Sequence, residues 1–177
     1  MEERIVAPDP VEDPQGYQQA LLDLLGDEEA LDVLASTPEK IEDLCAELDV
    51  AILQKEPAPG EWSAEGVVAH LLDAEVVYSF RWRMTLAQSG TAFPGYQQDL
   101  WTDLPHPSFP EMLAAFSALR RLNVWLAEET PSDQWDDKVG VHSERGPETF
   151  DVSLKVVAGH DLAHLKQLEQ TLAAVQT

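Results

Sequence analysis

Apolar residues recur at intervals of three and four along most of this chain, and no segment alternates convincingly between apolar and polar positions. That periodicity predicts helices rather than strands. The 12 prolines mark where the helices can run, because proline interrupts a helix interior. The uninterrupted intervals are 15–37, 39–56, 60–93, 111–130 and 148–177. In 37–55, Thr37 is placed as N-cap and Pro38 at the first helical position. A buried stripe of Ile41, Leu44, Cys45, Leu48 and Ile52 follows them. A second helix is predicted over 63–88, starting at Ser63 and carrying Val67, Leu71, Val77 and Met84. Ser108 to Glu111 reads as a capping box for a third, over 109–129, with Met112, Phe116, Leu119 and Leu126 as its stripe. Thr149 or Asp151 caps a last helix that reaches about residue 174 and carries Leu154, Val157, Ala158, Leu165, Leu168 and Leu172.

Four amphipathic helices of this length bury one another as a bundle. The predicted fold is therefore all-α, a four-helix bundle over 37–177 preceded by an acidic helical appendage over 1–36. Two short helices are expected in the appendage, the first stopped by Gly26 and the second capped by Asp27. The short connection 53–62 predicts that the first two bundle helices are antiparallel neighbours. The connections 89–108 and 130–148 are longer than usual loops and carry Tyr96, Trp101 and Trp135, so they are expected to cover one end of the bundle.

Composition narrows the function. Lys and Arg number 11 against 33 Asp and Glu, a net charge of −22. Nucleic-acid binding needs clustered bases, and anionic membrane surfaces attract them, so neither partner is expected. Residues 1–60 hold 16 acids against Arg4, Lys40 and Lys55, a balance of −13, and the remainder carries −9. A well-solvated surface accounts for this charge, with attraction of cations or of a basic partner as the alternative. Cys45 is the only cysteine, so no intrachain disulfide can form, and its place in an apolar stripe makes it a small core residue. No apolar run approaches the roughly 18 residues of a membrane span. The first residues lack the basic-then-apolar pattern of a signal peptide, and the expected compartment is the cytoplasm.

Five histidines remain to be explained: His70, His106, His142, His160 and His164. His160 and His164 are four apart on the last helix, about 40° apart around its axis, so both imidazoles can converge on one point. They lie among Val157, Ala158 and Leu168, on the side that faces the core. Two adjacent buried imidazoles are costly unless something pairs with both, and a metal ion does so. His70, in the second turn of its helix between Ala69 and Leu71, is the natural third ligand. Core or surface histidines with ordinary hydrogen-bond partners are the competing reading.

Larger motifs surround these histidines. Pro59-Gly-Glu-Trp62-Ser63, then Val68-Ala-His70-Leu-Leu-Asp-Ala-Glu75 and Arg81, resemble the first signature of the DinB/YfiT-like superfamily. Gly146-Pro147-Glu-Thr149 with Gly159-His160-Asp161-Leu-Ala-His164-Leu165 resembles its second. Tyr96-Gln-Gln-Asp-Leu-Trp101, Asn123 and Gly140-Val-His142 are similar to one branch of that family. The resemblance covers about residues 37–174. It implies a bundle of up-down-down-up topology and a divalent metal held by His70, His160 and His164 at one end. Nickel or zinc is the implied ion, with iron or manganese behind them. Members of the family include thiol-dependent transferases and isomerases, proteins regarded as hydrolases, and many without known activity, so fold is implied more firmly than reaction.

A metal on three neutral histidines keeps an open position. Water there is acidified toward a pKa of about 7, or a thiolate from an external low-molecular-weight thiol binds. Arg81 shares the His70 face and is a candidate clamp for a carboxylate or phosphate, or else a structural partner of Asp73 or Glu75. Gln167 and Ser153 share the His160 face and are expected to be core hydrogen bonders. Asp161 lies about 100° from His160, a poor ligand that can orient a histidine or cap a neighbouring element. His142, beside Ser143 and Glu144, is expected to be solvated, with reach to the mouth of the site as the alternative. His106, between two prolines, reads as structural, and the tryptophans, Trp62 and Trp125 among them, as core or interface. The function these residues predict is a metal-dependent enzyme acting on a small molecule, by hydrolysis or by thiol transfer. Arg81, Gln167 and His142 are its weak catalytic candidates. The alternative is a non-catalytic metal-binding bundle that is a structural or partner-binding module, such as a homodimer.

Overall fold

The computed structural model describes residues 8–102 and 104–176. Residues 1–7, which open the expected appendage and carry the signal-peptide reading, lie outside the described residues.

Among the described residues, seven helices, one short 3-10 turn and three short strands follow in the order α1 (Pro14–Leu25), α2 (Ala30–Cys45), α3 (Val50–Leu53), α4 (Ala64–Ala87), β1 (Thr91–Phe93), α5 (Gln98–Thr102), α6 (Phe109–Glu128), the 3-10 turn (Ser132–Asp137), β2 (Val139–His142), β3 (Gly146–Thr149) and α7 (Phe150–Val175). Local chemistry sets most of the starts. Asp13 accepts from Gly16 N at 2.9 Å with Pro14 at the first helical position. Ser63 accepts from Gly66 N at 3.1 Å, and Thr149 Oγ1 from Val152 N at 3.2 Å. Ser108 N donates to Glu111 Oε2 at 3.0 Å, the return half of a capping box. Gly26 ends α1 at φ 56, a backbone conformation that glycine adopts without strain.

The bundle is α2, α4, α6 and α7. Helix α2 packs on α6 and α7, and α4 packs on the same two. The first two bundle helices therefore stand at opposite corners and are not neighbours, which corrects the reading of the short 53–62 connection. Trp82 Nε1 donates to Ser153 Oγ at 2.9 Å while His70 meets His160, so α4 and α7 are antiparallel. Glu75 bonds Arg120 and Ser79 bonds Asn123, so α4 and α6 run parallel. The order is up-down-down-up.

One further expectation is overturned. The first bundle helix does not begin at Thr37 and does not extend to 55. It starts at Ala30, passes through Pro38 and ends at Cys45, with α3 a separate single turn. Thr37 is no cap, because its hydroxyl donates to Val33 O at 2.9 Å inside the helix. Pro38 removes the N–H that Leu34 O would accept, and Arg120 Nη1 on α6 occupies that carbonyl at 3.1 Å. A tertiary donor therefore lets the helix continue where local rules end it.

The fold is the expected helical bundle, with three short strands beside it among the described residues. The two long connections meet as one sheet of order β1-β2-β3, with β1 and β2 parallel and β2 and β3 antiparallel. Strands of three and four residues complete too few alternations to register as a pattern. The sheet adjoins α4, and β3 runs directly into α7, so it does cover one end of the bundle.

Packing forms two apolar layers. One joins Ile41, Cys45, Val68, Leu71, Phe116 and Leu168, the other Leu34, Tyr78, Trp82, Phe150, Leu154 and Val157. Each such side chain contributes about 1.5–3 kcal/mol when fully buried. Between the layers lies a polar stratum in which Arg120, 2% exposed, pairs with Glu75 at 2.7 Å and with Asp161. Burial alone would push the Arg120 guanidinium down, and Asp161 and Glu75 more than offset it. Helix α1 lies against α7 so closely that a Cβ on Gly159 would sit 2.1 Å from Leu21 O. Cys45 is buried in the first layer, where burial pushes its thiol up to about 11. No helix among the described residues is long and apolar enough to cross a membrane.

Candidate metal centre

His70 is delivered by the second turn of α4, and His160 and His164 by successive turns of α7. The antiparallel pairing of the two helices brings all three level. His70 Nε2 and His160 Nε2 are 3.0 Å apart. One ring nitrogen from each of the three lies within 4.8 Å of the other two. Tetrahedral coordination with bonds of about 2.0–2.1 Å spaces nitrogens by about 3.4 Å, so closing the three on an ion needs side-chain adjustment alone.

The electrostatics suit a cation ligand set. Burial holds His70 and His160 well below the ordinary imidazole range, reinforced by their histidine neighbours. Burial likewise lowers His164, with the Gln167 bond acting in the opposite sense. All three are neutral near pH 7, with lone pairs available. His164 Nδ1 meets Gln167 Oε1 at 2.8 Å. An amide oxygen only accepts, so Nδ1 carries the proton and Nε2 is the free donor atom. Trp62, one residue ahead of the α4 cap, lies against His70 with ring centroids 4.8 Å apart and stacks with His164 at 6.2 Å. These residues fit a divalent ion of the nitrogen-preferring kind, such as zinc or nickel.

A cavity of about 770 Å³ opens beside the centre, lined among others by Trp62, His164, Gln167, Gln98 and Tyr17. Tyr17 and Leu21 belong to α1, so the appendage is a wall of this cavity.

The other candidates are dispersed. Arg81 bonds neither Asp73 nor Glu75; its Nη2 donates to Pro94 O at 2.7 Å. Asp73 instead lies 3.7 Å from His106, and Glu75 is taken by Arg120 and by Asn123 Nδ2 at 2.7 Å. Gln167 is beside His164, whereas Ser153 accepts from Trp82 near the other end of α7. His142 is not solvated: it is 3% exposed, and its Nδ1 accepts from Glu144 N and Arg145 N at 3.2 and 3.4 Å. The turn of β2 into β3 folds back over the ring, which a loop reading cannot anticipate. Trp125 is 54% exposed and part of no core. Sequence reading also missed Arg120, although it follows Phe116 by four on the buried stripe, and missed Tyr17 in the cavity wall.

Fold and site together define a class: a four-helix bundle whose second and fourth helices hold a three-histidine centre. The chain belongs to the DinB superfamily, whose sequence profile matches residues 34–168. Among solved structures it is similar to YfiT from Bacillus subtilis, described as a probable metal-dependent hydrolase with an unusual four-helix bundle topology. That likeness has a TM-score of 0.72 at 20% identity and covers 81% of this chain and 86% of the other, and it speaks for the fold. No curated protein matches the chain significantly.

Proposed function

We propose that this protein is a metal-dependent hydrolase of a small molecule, with His70, His160 and His164 as the ligands of one divalent ion. The observation that carries the reading is the convergence of three imidazoles, those of His70 and His160 buried and that of His164 half-buried, beside a cavity large enough for a small molecule. A divalent ion on such a set supplies Lewis acidity and a water acidic enough to be a nucleophile near neutral pH. The chain's own contributions are positional. Gln167 holds the His164 proton on Nδ1, Trp62 shields one side of the imidazoles from solvent, and α1 walls the cavity. The similarity to YfiT supports the hydrolase reading over a purely structural metal. Thiol transfer is the second reading; because Cys45 is buried with its thiol held protonated, the thiol would come from outside.

The test is elemental mass spectrometry on protein purified without a histidine tag or chelator, beside a His160→Ala/His164→Ala double variant. About one nickel or zinc per chain, absent from the variant, is the expected result. Ester turnover by the metal-loaded protein without added thiol then supports hydrolysis, and turnover only with thiol supports transfer. A metal-free protein that stays metal-free after loading overturns the reading.

A further inference from the structure

Arg81 is 4% exposed and has no carboxylate partner within ion-pair distance among the described residues. Its guanidinium lies 5.4 Å from the Tyr78 ring centroid and 5.1 Å from that of Phe93, and its one hydrogen bond is to Pro94 O. Every fully enclosed side-chain nitrogen or oxygen among the described residues has a partner. The remaining N–H groups of Arg81 therefore open onto space that water reaches. A buried cation with donors to spare is costly unless something anionic occupies that space.

Charges of both signs lie around it. On the other side of Tyr78, Arg145 Nη2 donates to the phenol oxygen at 3.4 Å, while its Nε pairs with Glu148 at 3.0 Å. Gln18 of α1 donates to the same Glu148 oxygen at 2.8 Å. Glu148 is thus engaged twice and neutralises one of the two arginines. His142, held down to about 3 by burial and by Arg145 and Arg81, adds no charge at pH 7. Arg81 is left without a carboxylate paired to it, and the Glu144 carboxylate lies against Gly95, next to the Pro94 carbonyl that Arg81 bonds. Gln18 follows Tyr17 of the cavity wall on α1, so its bond to Glu148 sets the cluster behind that wall. Along α4, His70 and Arg81 are eleven residues apart, about 16 Å at 1.5 Å per residue, the distance a ligand reaching both would span.

We propose that Arg81, backed by Arg145 and Tyr78, is an anion-binding site behind the α1 wall of the cavity, and that the protein's small-molecule ligand carries a carboxylate bound there, remote from its reacting group. Placing the reacting group at the histidines rests on the metal-site reading; the anion site itself does not. A planar guanidinium fork matches a carboxylate in two parallel bonds.

Calorimetric titration with phenylacetate and its neutral isostere phenylacetamide tests this, on the metal-loaded protein and on the His160→Ala/His164→Ala variant. Both proteins are expected to bind phenylacetate saturably and the amide at least about 10-fold more weakly. Arg81→Gln should lose about 10- to 100-fold in phenylacetate affinity with metal content unchanged. Arg81→Lys, which keeps the apolar stem between Tyr78 and Phe93, should fold and lose less. Should Arg81→Gln not fold, the acid-against-amide comparison and Arg81→Lys decide the matter. No saturable phenylacetate binding, equal binding of the amide, or unchanged affinity in a folded Arg81 variant overturns the proposal. Phenylacetate binding that depends on Arg81 in a protein that never takes up metal keeps the anion site and removes the metal reading.

Discussion

Pro38 on α2 and Arg120 on α6 are complementary: the proline leaves Leu34 O without its helical donor, and the arginine's Nη1 bonds that oxygen at 3.1 Å. The same guanidinium carries Glu75 of α4 and Asp161 of α7. One side chain thus ties the other three bundle helices together between two apolar layers.

Arg120→Met should destabilise the protein by about 3–5 kcal/mol, because it removes the cation from two buried carboxylates, leaves Glu75 only its Asn123 bond, and leaves the Leu34 carbonyl without its donor. Urea unfolding measures it, and a loss below about 1 kcal/mol would mean that the carboxylates find other partners. Pro38→Ala restores an N–H to Leu34 O. It should therefore recover about 1 kcal/mol more in the Arg120→Met background than in the wild type, read as coupling in a double-mutant cycle.

His142 makes stability sensitive to acid. Unfolded, it titrates near 6.5; folded, burial and the two arginines bring it to about 3. Between these values the unfolded chain binds the proton and the folded one does not, so stability is unaffected above about pH 6.5 and falls as pH drops toward 3. His142→Asn keeps an acceptor for the Glu144 and Arg145 amides and removes the titration. Its stability should fall less steeply in that window, by up to about 1.4 kcal/mol per pH unit. Identical slopes in wild type and variant would show that His142 is protonated equally in both states.

Gln167 bonds Nδ1 of His164, one of the three proposed metal ligands, at 2.8 Å. Gln167→Ala should weaken metal affinity about 10- to 100-fold in competition with a chromophoric chelator, while the apo protein melts as the wild type does. Gln167→Glu, which still accepts from His164 Nδ1, should retain most of the affinity. Equal affinities across the three proteins would show that His164 is oriented by its packing alone.

The seat of α1 on α7 depends on the missing side chain at Gly159. Gly159→Ala would bring its Cβ to 2.1 Å from Leu21 O, a backbone atom that can move only with α1 itself. A destabilisation of about 1–3 kcal/mol is expected, with faster proteolytic cleavage around residues 26–29, where α1 and α2 are joined. A variant as stable and as protease-resistant as the wild type would contradict this close approach.

Much of this protein is legible in its sequence because the signals are local. Ser63, Ser108 and Thr149 start helices by bonding groups within three residues of themselves, and Gly26 stops α1 by a conformation of its own backbone. The spacing of His160 and His164 puts two imidazoles on one face whatever surrounds them, and the net charge of −22 is fixed without any coordinates. Features that depend on two distant segments meeting were decided by the tertiary structure alone. Pro38 reads as a helix start until Arg120 arrives from another helix to take the carbonyl it orphans. Arg120 itself resembles a surface base beside Arg121 until acceptors from α2, α4 and α7 converge on it. β1 is a strand because it pairs with β2 of the other long connection, and no periodicity within either loop encodes that pairing. His70 joins the histidine pair only because α4 runs antiparallel to α7. Burial of a charge or a ligand is a property of the whole enclosure: periodicity says which side of a helix faces inward, and the fold decides what meets it there.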